Sequence, residues 1–271
     1  MTNMEETFVN RTERVCCITQ ILCNSPNKDF SLNVFAQQFG CAKSSISEDM
    51  KLVREAMNEL GYGYLETTSG SKGGVRFVPY VSDERARGIL EDLKTRFLEP
   101  DRRMGGGFFY TADLMFDPQI ARGVAMVFAK HFAAVDADVV VTVETKGIAV
   151  AAFVAEFLHL PLAVIRREAK VTEGSTLSIN YFSGSSDRIQ KMSLSKRAIK
   201  KNSRAIIIDD FMRGGGSIAG MKEMLGEFES HAVGTGVVVA AGRNHGKVAE
   251  DVYPLLLLDD SDGTVRIDVN M

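Results

Sequence analysis

The chain has no tryptophan, no apolar run near the roughly 20 residues a membrane helix needs, no paired-cysteine spacing and no excess of positive charge. Its first residues, MTNMEETFVN, lack the basic start and apolar stretch of a signal peptide, so a cytoplasmic protein without a membrane partner is expected. The four cysteines (Cys16, Cys17, Cys23, Cys41) lie in the first sixth of the chain, with no C-x-x-C and no nearby histidine, which argues against a zinc site and for buried free thiols. A net charge of -3 removes any global pull toward nucleic acid, leaving only local patches for such binding. Internal repeats and low-complexity segments are absent as well. What remains, 271 residues with 45% hydrophobic and 25% charged, is the make-up of a globular protein, large enough for a small domain joined to a medium one.

Residues 1–80 alternate short helical patterns with a Gly-rich hairpin. Asn10 and Glu13 form a capping-box pattern ahead of an apolar stripe of Val15, Ile18, Ile21 and Leu22. Ser31 caps a short helix that stops at Gly40, and Ser45 with Glu48 opens a third, in which Ile46, Met50, Val53, Met57 and Leu60 share one face. The segment YLETTSGSKGGVRFVPY then reads as two strands around a turn. This order predicts a winged helix-turn-helix, whose third helix enters the major groove of double-stranded DNA while the wing touches the backbone. Lys43, Ser44, Ser45, Ser47, Lys51 and Arg54 are the candidate contacts on the third helix, with Lys72 and Arg76 on the wing. Eight cations against nine acids over 1–80 weaken that reading, and a small helical dimerisation module is the alternative.

A charged helix with Ile89, Leu90, Leu93 and Phe97 on one face predicts a linker over 81–104. From 105 to 271 the pattern changes to apolar runs separated by helices. DVVVTV, PLAVI, AIII, GVVVAA and LLLL are too continuous for half-exposed strands, so they predict a mainly parallel sheet covered on both faces, an α/β architecture. Asp117 and Pro118 start one helix, with others over 147–158 and 217–228.

The sharpest feature is AIIIDDFMRGGGSIAGM (205–221), in which an apolar strand ends in two carboxylates, passes three glycines and enters a helix. Gly214, Gly215 and Gly216 can take positive φ and let backbone N–H groups converge on an anion at the helix start, where Ser217 adds a hydroxyl. Asp209 and Asp210 would repel a phosphate, so they should face a neutral, hydroxyl-rich part of the same ligand. A ribose 5-phosphate group satisfies both demands. Neither G-x-G-x-x-G nor G-K-[ST] occurs there, which leaves dinucleotide and P-loop folds unsupported.

IIIDDFMRGGGS resembles the phosphoribosyl pyrophosphate (PRPP) motif of type I phosphoribosyltransferases. Together with AKSSISEDM (42–50), VTVETKGIAVA (141–151) and the long segment 166–200, it makes nearly the whole chain similar to the PurR purine operon regulators of Gram-positive bacteria. The resemblance implies a winged helix fused to a type I phosphoribosyltransferase-like domain. It places Asp209 and Asp210 on the PRPP ribose, Arg213 to Ser217 on the 5-phosphate, and Thr145, Lys146 and Gly147 on the pyrophosphate. Lys170, Thr172, Glu173, Gly174, Ser175 and Thr176 fall where the enzymes carry a mobile loop. The glycines of RGGGS stand where the enzymes often use Thr and Ala, leaving the Arg213 side chain without an assigned role.

Phe108 and Phe211 are candidates for stacking on a purine base, which would let a purine nucleotide compete with PRPP; a core role is the alternative. Only a short tail follows LLLL, with no separate hood to read a nucleobase, so an effector sensor is expected and not an enzyme. An active phosphoribosyltransferase and a transcription activator are the rival readings. Ten Lys or Arg against three acids over 160–204 suit an anionic partner, PRPP with any accompanying Mg2+ or the DNA backbone. A homodimer is expected, since winged-helix regulators commonly meet paired half-sites.

Overall fold

The computed structural model of the chain describes residues 9–68, 74–104, 108–168, 172, 174–183, 188–241 and 251–271. Lys72, Lys170 and Glu173 lie outside these. The chain divides into two compact units, 1–82 with Phe157–His159, and 83–156 with 160–271.

In the first unit, α1 (Arg11–Cys23), α2 (Leu32–Gln38) and α3 (Lys43–Leu60) pack with an antiparallel pair, β1 (Gly63–Thr68) and β2 (Gly74–Pro79). Phe30 adds an antiparallel bridge to Val75, completing a winged helix-turn-helix. The capping box of α1 forms as expected, Asn10 accepting from the Glu13 N–H and Glu13 accepting from the Asn10 N–H. Ile18, Leu22, Phe35, Ile46, Met50, Val53 and Met57 make the core, whereas Leu60, at the last turn of α3, is 68% exposed.

Three expectations need correction here. Helix α3 starts at Lys43 behind Ala42 and has no side-chain cap, so Ser45 lies within its first turn and is not the cap. Asp49, counted among the acids that oppose DNA, is wholly buried and takes Arg14 Nε at 2.5 Å and Arg11 Nε at 3.1 Å. The cysteines are free but not buried: Cys16 and Cys17 are exposed and Cys23 half-buried because they sit beside the Ile18–Leu22 stripe of α1 and not on it, and Cys41, in the connection between α2 and α3, is half-buried.

The second unit is built on a six-stranded sheet in the order β10-β9-β8-β7-β3-β4. Strands β3 (Val139–Val143), β4 (Leu162–Ile165), β7 (Arg204–Met212), β8 (His231–Ala241) and β9 (Tyr253–Asp259) are parallel, and β10 (Arg266–Val269) is antiparallel to β9. All five residues of β3 are buried, as a strand covered on both faces requires. Helix α7 (Gly147–Leu158) connects β3 to β4, and other helices cover the faces of the sheet. Helix α8 (Gly216–Glu227) covers one face with Ile218, Met221, Met224 and Leu225 against Val139, Val141 and Ile207. Helix α6 (Pro118–Phe132), which follows the short α5 (Ala112–Phe116), covers the other; it starts at Asp117, which accepts from the Gln119 and Ile120 N–H groups, and its Phe128 packs over Gly236 and Ile208.

Two elements differ from expectation. Residues expected as a linker form α4 (Asp83–Phe97), which belongs to the second unit: Ala86, Leu90, Leu93 and Phe97 are buried, and the helix packs against α6, β9 and β10. An apolar stripe of that width needs cover. The basic stretch holds an antiparallel hairpin, β5 (Thr176–Ser183) and β6 (Arg188–Ser195), which seats Tyr181 and Met192 against Gly220 of α8. No helix among the described residues is long and apolar enough to cross a membrane.

Candidate functional site

Strands β3 and β7 are neighbours, but the chain leaves β3 toward β4 and β7 toward β8. The C-terminal ends of such a pair bound a crevice, the usual ligand position in an open parallel sheet. A cleft of about 160 Å³ opens there. Lys146, Asp209, Arg213, Gly214, Gly215, Gly216 and Ser217 all line it, so the structure brings together residues 146, 209 and 211–217 from separate stretches of sequence, whereas Asp210 does not line it. Phe108 and Phe211 line it too, along with Phe109 and Thr111, which sequence reasoning did not single out.

The β7 alternation drives Asp209 inward to 4% exposure and leaves Asp210 half-buried. Asp209 Oδ1 accepts the Asp210 N–H at 2.9 Å. Burial pushes Asp209 well above the ordinary carboxylate range, and the neighbouring Asp210 charge adds to that. Burial raises Asp210 as well, while the Lys146 ammonium pulls it back down.

Beyond the acids the chain turns through Gly215 at φ +73°, a left-handed conformation that disfavours any other residue. No side chain caps α8, so its first-turn N–H groups are free to meet an anion. The Arg213 guanidinium, by contrast, reaches Asp260 with Nη2 2.9 Å from Oδ2 and Nη1 3.4 Å from Oδ1, and lies 6.0 Å from the Phe211 ring. Phe211 in turn stacks on Phe109, with centroids 6.5 Å apart, while Phe108 is 58% exposed at the cleft wall.

The third wall is the loop between β3 and α7. Lys146 Nζ donates to Thr111 Oγ1 at 3.0 Å, which holds the ammonium beside Asp210. Glu144 accepts the Arg167 N–H at 2.6 Å and Arg166 Nη1 at 3.3 Å, tying this loop to the end of β4. Gly147 is packed so closely that a Cβ there would lie 2.6 Å from Thr142 Oγ1 and 3.3 Å from Asp209 Oδ1. Thr145 and Gly147 do not line the cleft, nor do Thr172, Gly174, Ser175 and Thr176; Thr176 opens β5. Glu144, Thr111 and Asp260 were missed because their roles depend on partners 22 to 47 residues away.

Uncapped N–H groups beyond a glycine turn, with a donor-poor carboxylate pair before it, suit a phosphate and a polyhydroxyl group on one ligand. On the first unit, Lys43, Ser44, Ser47 and Lys51 of α3 are exposed and Ser45 and Arg54 half-exposed. Arg76 is already paired across the ribbon with Glu66, Nη2 to Oε2 at 2.6 Å.

Residues 10–79 match the family described as "Bacterial purine repressor, N-terminal", and residues 113–266 match "Phosphoribosyl transferase domain". A "Probable purine biosynthesis transcriptional regulator PurR" of Streptococcus pneumoniae is 42% identical, over 94% of this chain and 93% of its own. The chain belongs to the PurR family of purine biosynthesis regulators. Two other PurR proteins bear opposite names: a "transcriptional repressor" in Bacillus subtilis (40% identical, 92% of this chain and 87% of that one) and a "transcriptional activator" in Lactococcus lactis (38% identical, 97% of both). Among solved structures, adenine phosphoribosyltransferase from Thermoanaerobacter pseudethanolicus matches with a TM-score of 0.55 at 19% identity, over 62% of this chain and 99% of that one, a likeness of fold. The α/β class, the winged helix and the phosphoribosyltransferase fold expected from sequence are thereby borne out.

Proposed function

We propose that this chain represses purine biosynthesis genes by binding operator DNA through its first unit, and that PRPP in the second unit releases it. One observation carries the reading: a carboxylate pair, with Asp209 buried and Asp210 half-buried, leads directly into an uncapped, glycine-turned helix start, on a chain whose other unit belongs to the purine repressor N-terminal family. Asp209 and Asp210 accept from the ribose hydroxyls, the N–H groups of 215–217 hold the 5-phosphate, and Lys146 faces the pyrophosphate, with Mg2+ travelling on the ligand. The cleft wall of Phe108 and Phe211 suits a purine ring, which makes a purine nucleotide a competitor for the same space.

On α3, the side chains of Lys43, Ser44, Ser45, Ser47, Lys51 and Arg54 serve the groove and phosphates, with Lys72 and Arg76 on the wing. The working form is a cytoplasmic homodimer on paired half-sites. PRPP brings several negative charges to the second unit and so lowers its attraction for DNA phosphates, an effect that weakens as salt rises. Linkage requires that DNA weaken PRPP binding by the same factor by which PRPP weakens DNA binding. The phosphoribosyltransferase fold acts here as a sensor without transferase turnover. The Lactococcus relative, named an activator, supports the opposite sign of regulation with the same parts.

A gel-shift on the chain's own purine-gene promoters, with and without PRPP, tests the reading; release by PRPP is expected. Pyrophosphate liberated from PRPP with any nucleobase would overturn the sensor role.

A further inference from the structure

Thr142 is the fourth residue of an otherwise fully apolar strand, VVVTV, level with Val164 of β4. It is 0% exposed, and its Oγ1 is the one buried side-chain polar atom without a hydrogen-bond partner among the described residues. Buried hydroxyls ordinarily find a partner, and one left alone is destabilising. Valine would fill the same space, favour the strand and avoid that cost.

The surroundings of this hydroxyl explain its presence. The position one bond from the Gly147 Cα is 2.6 Å from Thr142 Oγ1 and 3.3 Å from Asp209 Oδ1. The hydroxyl and the carboxylate therefore both approach the same glycine, behind the residues that line the cleft. An ionised carboxylate accepts about four hydrogen bonds. Among the described residues Asp209 accepts one from the Asp210 N–H, at Oδ1.

We propose that Thr142 is a positioning residue for the sugar phosphate, supplying a hydrogen bond to Asp209 from beneath when ribose hydroxyls engage that carboxylate from above. The hydroxyl acts through Asp209 and does not itself touch the ligand. This assignment rests on the PRPP reading of the cleft. Burial disfavours the charged form of Asp209 and so weakens its demand for a donor. Ligand hydroxyls favour the charged carboxylate, and the orphaned donor then gains a partner, so the cost of burying it is relieved on binding.

Calorimetric titration of the full chain with PRPP and Mg2+, together with thermal melting, tests this on Thr142→Val and Thr142→Ser. Valine is expected to raise the PRPP Kd about ten-fold, the loss of one charge-assisted bond, while leaving Tm unchanged or higher. Serine is expected to bind within about two-fold of the unsubstituted chain, because it restores the donor. Unchanged affinity in Thr142→Val, or a Kd rise accompanied by a lower Tm and not rescued by serine, overturns the assignment. No binding heat in the unsubstituted chain would overturn the PRPP reading first, and this assignment with it.

Discussion

Asp49 is wholly enclosed within the first unit, where its Oδ2 meets Arg14 Nε at 2.5 Å across 35 residues of sequence. The charge sum over 1–80 set this carboxylate against DNA binding, yet its charge is met internally by Arg14 and Arg11 and none of it reaches the surface. Arg11 and Arg14 are themselves two of the eight cations in that sum, so the pairing leaves the balance over 1–80 no more positive; it turns this acid away from the outward side of α3.

Arg14→Ala removes the better-buried partner of this carboxylate. Breaking a buried pair from one side is costly, so a loss of about 3 kcal/mol is expected for the first unit, less any part that Arg11 recovers. Urea unfolding followed by far-UV circular dichroism checks it, and an unchanged midpoint would show that Arg11 alone satisfies Asp49.

For Lys51→Ala or Arg54→Ala, weaker operator binding with unaltered PRPP affinity is expected. If the lost contact is to a phosphate, the slope of log K against log salt also falls by about one. Equal DNA affinity at all salt concentrations would move the DNA contact off this flank of α3.

Replacing both Asp209 and Asp210 by Ala is expected to leave operator binding intact while abolishing release by PRPP. Normal release in the gel-shift would remove the assigned effector site.

Asp209→Asn alone is expected to stabilise the second unit at neutral pH. The carboxyl titrates in the fold above its ordinary value of 3.8, so on raising pH the unfolded chain loses this proton first. Its contribution to stability therefore declines from about that pH upward until the folded value is passed. The asparagine chain lacks that decline, and the Tm difference between the two should widen from pH 4 to pH 7; a constant difference would show that the folded carboxyl is not raised.

Exposure also ranks the thiols. Cys16 and Cys17 should react quickly with a maleimide under native conditions, and Cys23 slowly, because burial raises its thiol and reduces its thiolate. Mass spectrometry of the labelled chain separates these cases.

Local signals in the sequence carried much of this fold. Asn10 with Glu13, and Asp117 with Pro118, announce helix starts through contacts within three residues, and runs such as VVVTV can only be doubly covered strands. Asp209 through Ser217 was legible for the same reason, since strand end, carboxylates and glycine turn are consecutive. What escaped depended on distant partners: Asp49 needs Arg14, Arg213 needs Asp260, and Lys146 needs Thr111. The hairpin of β5 and β6 was hidden differently. Its alternation, with Leu177, Ile179 and Tyr181 on one face, was present, but the cations between 166 and 204 drew the reading toward charge.

The large sheet ends at one border on β10 and at the other on β4, each only four residues long. Just past β4, Arg166 exchanges two backbone hydrogen bonds with Ser193 of the hairpin, so that border is partly sealed by the chain itself. Truncated and sealed margins offer a neighbouring molecule little backbone to zip onto, which protects a regulator with so many consecutive valines and isoleucines from fibrous self-association.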